Sequence, residues 1–470
     1  MAKDSQFADV RTEQPSATSL SQKLYFAAWR WHFYAALYVV PFMIMLAVTG
    51  LMMMFITQFD GRDGEKIAVT PQSTALSVTD QAAAATSAVP GDVVEYIGPK
   101  SDALATVFRI NTGDTHQMVA VNPYTGDVLG NWDRRTGWYD FADNVHGSLL
   151  LGDTGDRLIE IAAGLGLVLV LTGLYLWWPR GGDTSVFIPN LKARGRTLWK
   201  SLHAVTGFWI SALLVVFLIS GLAWAGIWGG KYVQAWSTFP AEKWNDVPLS
   251  DSTHASMNHG NQNDVPWALE QTPMPASGSD VGVTGTAEGA PVDLNSLVAL
   301  GRDLGLKGRF RVAYPRDETG VWTINQDSMS GDSATPTIDA TIHVDQYTGK
   351  ILAEVRFADY SVAGKSMAVG IPLHMGLMGL WNLLLNTVFC LLVIFVCVSG
   401  VVMWLKRRPS KAMRLAAPPA PADMPLFKGV LLIAALLSVA FPLVGVTLLA
   451  VLAFDVLVVG NIPALKRALS

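Results

Sequence analysis

The sequence predicts a membrane α-helical bundle with small α+β domains outside the bilayer. Three observations predict it: the composition, a set of long apolar runs, and an internal repeat. Of the 470 residues, 51% are hydrophobic and only 15% charged, where a soluble chain carries roughly a quarter charged residues. The net charge of −4 gives no basic footprint for nucleic acid. The predicted core is four helices from a duplicated span–outer domain–span unit, followed by one kinked or two short C-terminal helices.

Four runs, residues 28–55, 158–178, 202–228 and 373–405, meet the requirement of about 20 residues for a bilayer helix. The polar N-terminus precedes a run too long for a signal-peptide core, so the first span is expected to be retained. A fifth apolar region, 426–459, is long for one span and short for two, and "FPLVG" interrupts it. Orientation follows the basic residues of the short loops. Residues 179–200 carry Arg180, Lys192, Arg194, Arg196 and Lys200, and residues 406–428 carry Lys406, Arg407, Arg408, Lys411, Arg414 and Lys428. Both loops are expected in the cytoplasm, with segments 56–157 and 229–372 outside, in the periplasm if the chain is from a Gram-negative bacterium. Lys466 and Arg467 favour a cytoplasmic C-terminus, hence a hairpin in the last region. The expected division is tail and first span, 1–57; first outer region, 58–145; spans two and three, 146–228; second outer region, 229–372; fourth span, 373–406; and the C-terminal region, 407–470.

The repeat is visible at several points. His32 precedes Gly50, and His203 precedes Gly221, by the same 18 residues, which is five helical turns, roughly 27 Å. His146 leads to Gly173 and Trp177 as His374 leads to Gly400 and Trp404. Outside the spans, "VAVNPYTGDVLGNW" mirrors "IHVDQYTGKILAEV", each reading as strand, turn, strand with a turn glycine. "LNSLVALGRDLGL" has a helical pattern, and "GRFRVAYPRDETGVWTINQD" alternates like strands. Residues 251–291, rich in Gly, Pro, Ser and Thr, read as a long loop.

Four of the eight histidines occupy matching positions of the repeat. Imidazoles at a span are costly and point to function, although a hydrogen-bonded interfacial histidine is the plain alternative. Two imidazoles from facing helices are a standard way to hold haem iron. Depth pairs His32 with His203 on the cytoplasmic face and His146 with His374 on the outer face, one haem each. The repeated glycines would leave room for the macrocycle. Arg30 and Lys200 could neutralise inner propionates, and Arg134, Arg135 or Lys365 outer ones. Zinc is disfavoured because it wants three or four ligands. In "HASMNHG", His254, Met257 and His259 offer a soft set that would suit copper, with Met274 as a possible addition; a polar loop without ligands is the simpler reading. Trp138, Tyr139 and Phe141 could form a platform near the outer haem or simply pack. Cys390 and Cys397 read as core or lipid-facing residues. No dinucleotide, phosphate-loop or H-E-x-x-H motif is present. An electron donor is therefore external, a membrane quinol or a separate reductase.

The "YTG" hairpins, the His-led spans, the endings "LTGLYLWWPR" and "VSGVVMWLKRRP" and the terminal "FPLVGVTLLAVLAFD" make the chain resemble the PepSY-associated transmembrane family. Its bacterial members include inner-membrane ferrisiderophore reductases. The resemblance implies two periplasmic PepSY domains and b-type haems on His32, His146, His203 and His374. It also implies outward electron flow that reduces a periplasmic ferric siderophore or other metal complex. The "HASMNHG" loop and the C-terminal apolar region exceed that minimal core. Two other functions stay open: a cofactor-free PepSY protein that restrains or senses peptidases, and a copper or other metal transporter.

Overall fold

In the computed structural model, the structure describes residues 20–113, 115–179, 185–234, 243, 246–258, 265–408, 415–418, 428–459 and 461–462. The first half runs α1 (Leu20–Phe59), α2 (Val78–Ala88), β1 (Asp92–Ile97), β2 (Thr106–Asn111), β3 (His116–Val121), β4 (Val128–Asp133), α3 (Trp138–Ser148), α4 (Asp153–Trp177). The second half begins with α5 (Gly195–Leu222), β5 (Leu249–Thr253) and β6 (Pro273–Pro275). It then repeats the first: α6 (Leu294–Asp303), β7 (Arg311–Ala313), β8 (Val321–Gln326), β9 (Ala340–Asp345), β10 (Ile351–Arg356), α7 (Val362–Met375), α8 (Leu380–Arg407). Two short helices follow, α9 (Lys428–Ala440) and α10 (Pro442–Phe454).

Among the described residues, five helical runs are long and apolar enough to cross a membrane: α1, α4, α5, α8 and Pro442–Val459. The first four close into a ring in which α1 packs against α4 and α8, and α5 against the same two. Their shared core includes Val39, Met43, Leu167, Ile210, Leu218, Phe389 and Val393. The chain doubles back sharply between α9 and α10. A Cβ on Gly445 would sit 2.8 Å from the Ser438 side chain, far closer than residues seven apart along one helix. Two short helices, the second alternative of the sequence, are therefore what forms. The bend is tied to the bundle by Trp228 Nε1, which donates to the Ala440 carbonyl at 2.9 Å.

The expectation of two separate outer domains needs correction. All eight strands of the repeated units form one antiparallel sheet, in the order β10-β9-β8-β7-β1-β2-β3-β4. The halves join through β1 and β7, with Glu95 opposite Ala313, Tyr96 opposite Val312 and Ile97 opposite Arg311. The physical reason is edge pairing: apart, each half would leave a strand edge with unmet N–H and C=O groups. Helices α2 and α6 lie side by side on one face, linked by Thr79 N–H donating to Asn295 Oδ1 at 3.1 Å. Both begin at side-chain caps, Ser77 and Asp293. Beneath them lies an apolar core of Phe108, Ile110, Leu297, Phe310, Trp322, Ile324 and Ile342. Both "YTG" segments make the predicted hairpin turn. Gly126 and Gly349 take φ of +77° and +67°, and Asn122 and Asp345 each accept a backbone N–H from the tyrosine two residues on.

The segment 251–291 is also more than a loop. It carries β6, pairs it with β5, and roofs the other face of the sheet with buried Val265, Trp267, Leu269 and Met274. Trp267 Nε1 donates to the Ala223 carbonyl at 2.8 Å, fixing the roof to the end of α5.

Candidate cofactor site

The structure brings the four repeat histidines together as two pairs. His32 on α1 faces His203 on α5, with ring centres 6.3 Å apart and planes at 88°. His146 faces His374 with the same 6.3 Å separation and planes at 83°. The pairings expected from depth are those observed. His146 and His374, however, do not sit on spans two and four. They end the short helices α3 and α7, which stop at left-handed residues Leu149 and Gly376 before α4 and α8 begin. The positive φ terminates each helix and turns the chain into the span. Two buried asparagines of α8 hold the second of these ends. Asn382 and Asn386 donate to the Leu373 carbonyl at 2.9 and 2.7 Å, and Asn386 also to the His374 carbonyl at 3.1 Å.

Each imidazole has the same surroundings. His32 Nδ1 lies 3.0 Å from Thr172 Oγ1, His146 Nδ1 2.9 Å from Thr49 Oγ1, His203 Nδ1 2.9 Å from Ser399 Oγ and His374 Nδ1 2.9 Å from Ser220 Oγ. Every one of these hydroxyls donates its single proton to a carbonyl of its own helix, at 2.7–2.8 Å: Thr49 to Met45, Thr172 to Val168, Ser220 to Val216, Ser399 to Val396. A hydroxyl has one proton, so toward the histidine it can only accept. The network therefore assigns the proton to Nδ1 in all four rings. Nε2 is left with a bare lone pair, the state a metal ligand needs.

A glycine follows each hydroxyl residue, and its role corrects the expectation of open space for a macrocycle. Cβ atoms built on Gly50, Gly173, Gly221 and Gly400 would lie 3.3–3.7 Å from Cε1 of His146, His32, His374 and His203 respectively. The glycines let a ring edge approach the neighbouring helix until Nδ1 reaches the hydroxyl. A [Thr/Ser]-Gly step marks this arrangement in the sequence: "VTG" in α1, "LTG" in α4, "ISG" in α5 and "VSG" in α8 each end at a repeat glycine, although α5 carries a second "VTG" at 205–207.

Other sequence expectations fare differently. Arg134 and Arg135 face carboxylates, Asp63 at 4.0 Å and Asp140 at 3.8 Å, and Arg30 donates to the Pro418 carbonyl. Trp138 and Phe141 are exposed edge to face on α3, whereas Tyr139 is buried under Arg62. In the "HASMNHG" segment, His254 is fully buried and both its nitrogens are engaged. Nδ1 contacts Thr272 at 2.9 Å, and Nε2 lies 2.8 Å from Nε2 of His343 on β9. Met257 packs in the apolar roof, and His259 lies outside the described residues. His254 thus pairs with His343, a residue with no local signal linking it to the "HASMNHG" segment, and not with Met257. Among the described residues no group of three or more His, Cys, Asp or Glu is placed to hold a metal.

The His254–His343 contact has a consequence for stability. Burial lowers His254 to about 4 and His343 well below its usual value, so both are neutral in the fold. The unfolded chain binds a proton near pH 6.5 that the fold refuses until about 4, so stability falls as pH drops through that window. Relative to a His254→Gln variant, the protein should lose about 3 kcal/mol between pH 6.5 and 4. Denaturant unfolding of both proteins at the two pH values checks this; a pH-independent difference would contradict it. The comparison with the variant is needed because Asp339, raised to about 8 by burial and by Asp327, works in the opposite direction.

Fold and site together define a class: a membrane four-helix bundle with two facing histidine pairs and a sheet domain on one side. The chain belongs to the PepSY-associated TM region family, whose model matches residues 29–407. That match takes in all four paired histidines and stops before α9 and α10. Among curated proteins, none matches the chain.

Proposed function

We propose that the protein is an electron-transfer protein holding two b-type haems, one on each histidine pair. On this reading it passes electrons across the bacterial inner membrane to a ferric chelate or similar metal complex on the sheet side. The observation that carries the reading is the fourfold recurrence of one arrangement: an imidazole with its Nδ1–H fixed by a hydroxyl, facing its twin at 6.3 Å. A metal bound at about 2.0–2.1 Å by a nitrogen of each ring separates the ring centres by roughly 6.2 Å. Two protein ligands per metal suit an iron whose remaining positions belong to a macrocycle, and do not suit structural zinc.

Haem iron held by two histidines takes up and returns a single electron. The chain's own residues do the rest. Thr49, Thr172, Ser220 and Ser399 hold each ring in the ligating tautomer and raise its basicity. The 18-residue step along α1 and α5 sets the two pairs at opposite ends of the bundle, roughly 27 Å apart. The basic loops favour a cytoplasmic position for the His32–His203 end. Chelators with hard oxygen ligands hold ferrous iron more weakly than ferric, so one electron suffices for release and no acid–base residue is required.

Two experiments follow. The protein in sealed vesicles with reductant inside should reduce an impermeant ferric chelate outside, detected with a ferrous-specific dye. Alanine at His32 or His374 should bring the rate to that of empty vesicles; an unchanged rate would refute the relay. Thr172→Val keeps the shape but removes the acceptor for His32. It should weaken haem retention at that pair by about 10–100-fold and leave the other pair unaffected, read by titrating haem into apoprotein.

A further inference from the structure

The end of the bundle that holds His32 and His203 carries an arginine without a matching carboxylate. Arg407 is the last residue of α8. Its guanidinium carbon lies 5.0 Å from the ring centre of Trp29 and 5.2 Å from that of Phe33, both on α1. Such contacts engage the face of a guanidinium and leave its N–H edge for acceptors. Nη2 donates to the Ala416 carbonyl. Nη1 has no partner among the described residues and, unlike the buried Nε, keeps accessible surface. The charge that acts on Arg407 is that of a second cation, Arg196.

The position of Arg407 is set by the histidine pair. Trp29 and Phe33 lie three residues before His32 and one after it, so their shelf is within a turn of that imidazole. On α8, Arg407 follows Gly400 by seven residues, two turns along nearly the same face. Gly400 is the glycine against which His203 packs, its built Cβ 3.5 Å from Cε1. A helical side chain leans back toward the N-terminus of its helix, which brings the guanidinium to roughly 5–10 Å along the axis from that contact. Helices α1 and α5 oppose each other, each packed between α4 and α8. A flat group held between His32 and His203 therefore turns its edges toward α4 and α8. The repeat carries the same spacing on α4, where Arg180 follows Gly173 by seven residues. Arg180 lies outside the described residues, and Arg407 alone carries the argument.

We infer that Arg407 anchors a haem propionate at the His32–His203 pair. The inference rests on the haem reading above and adds an orientation to it: the carboxylate edge of the macrocycle faces the Arg407 end of the bundle. Nη1 donates to the propionate in a charge-assisted hydrogen bond, and the guanidinium offsets its charge. Arg30, which the sequence offers for this role, has its guanidinium turned to the Pro418 carbonyl and the Tyr34 hydroxyl.

The test is titration of the full-length apoprotein in detergent with haem and with haem dimethyl ester, which lacks the carboxylates, read by the Soret band. Arg407→Gln should weaken one of the two haem sites by about tenfold, the worth of one charge-assisted hydrogen bond, and leave ester binding unchanged. Arg407→Lys should recover part of the loss. Equal weakening of haem and ester would overturn the inference and make Arg407 a structural clamp on the helix end. Unchanged haem binding would also overturn it, as expected if Arg407 faces a lipid phosphate, and would leave the haem reading intact. An unaltered chain that takes up neither haem nor ester would refute the haem reading itself, and the inference with it.

Discussion

Replacing His374 with alanine is expected to remove one of two haems and leave the other in place. The ring is one of the two imidazoles of its pair, its centre 6.3 Å from that of His146. With one of the two imidazoles gone, the other would hold a haem far less tightly, and electron delivery on the sheet side should stop. The second pair should be untouched, because about five helical turns separate the two along α1 and α5, and distant sites behave independently. His32→Ala should give the mirror result. Haem content per chain and the reduced-state spectrum read both variants; loss of both haems from one substitution, or of neither, would contradict two independent sites.

The second large effect is expected at Gly155, far from any imidazole contact. It lies in the first turn of α4, where the chain has just left α3. A Cβ there would fall 1.6 Å from the Ser148 carbonyl oxygen and 2.4 Å from its carbon, both backbone atoms that no rotamer change can move. Alanine must therefore push α3 and α4 apart by more than about 1 Å, and overpacking of this kind costs about 1–3 kcal/mol or more. The displaced helix carries His146, two residues before Ser148, so the sheet-side pair loses its register. Gly155→Ala should lower thermal stability and selectively reduce haem at the His146–His374 pair. Gly207→Ala is the control: it lies in α5 with no atom within 4 Å of its added Cβ, and alanine favours a helix there by roughly 1 kcal/mol.

Much of this architecture is legible in the sequence because it rests on spacing. The 18-residue step from His32 to Gly50 recurs from His203 to Gly221, and a step of constant length on a helix fixes depth and face alike. The "YTG" turns announce themselves through local chemistry, a side-chain acceptor and a glycine that tolerates positive φ. What the sequence hides is contact between segments with no shared local signal. The pairing of β1 with β7 joins strands more than two hundred residues apart, and nothing in either strand names the other. His343 sits in a β-strand of alternating pattern and gives no hint that its partner is His254. The buried arginines of the sheet, Arg109 and Arg311, look like surface residues on alternate strand positions until the roof is seen to cover them. The left-handed caps that separate α3 from α4 and α7 from α8 carry no sequence mark that sets them apart: Leu149 lies in "SLLLG", and Gly376 in the apolar run "HMGLMGLW".

The central claim is that each facing pair of histidines holds one haem. Its most direct measurement is the haem content and the oxidised and dithionite-reduced visible spectra of the full chain, purified after expression with ample haem. The account predicts two haems per chain, low-spin, with sharp α and β bands on reduction. A folded protein that carries no haem under those conditions would contradict it and leave the four imidazoles as hydrogen-bonded elements of the bundle.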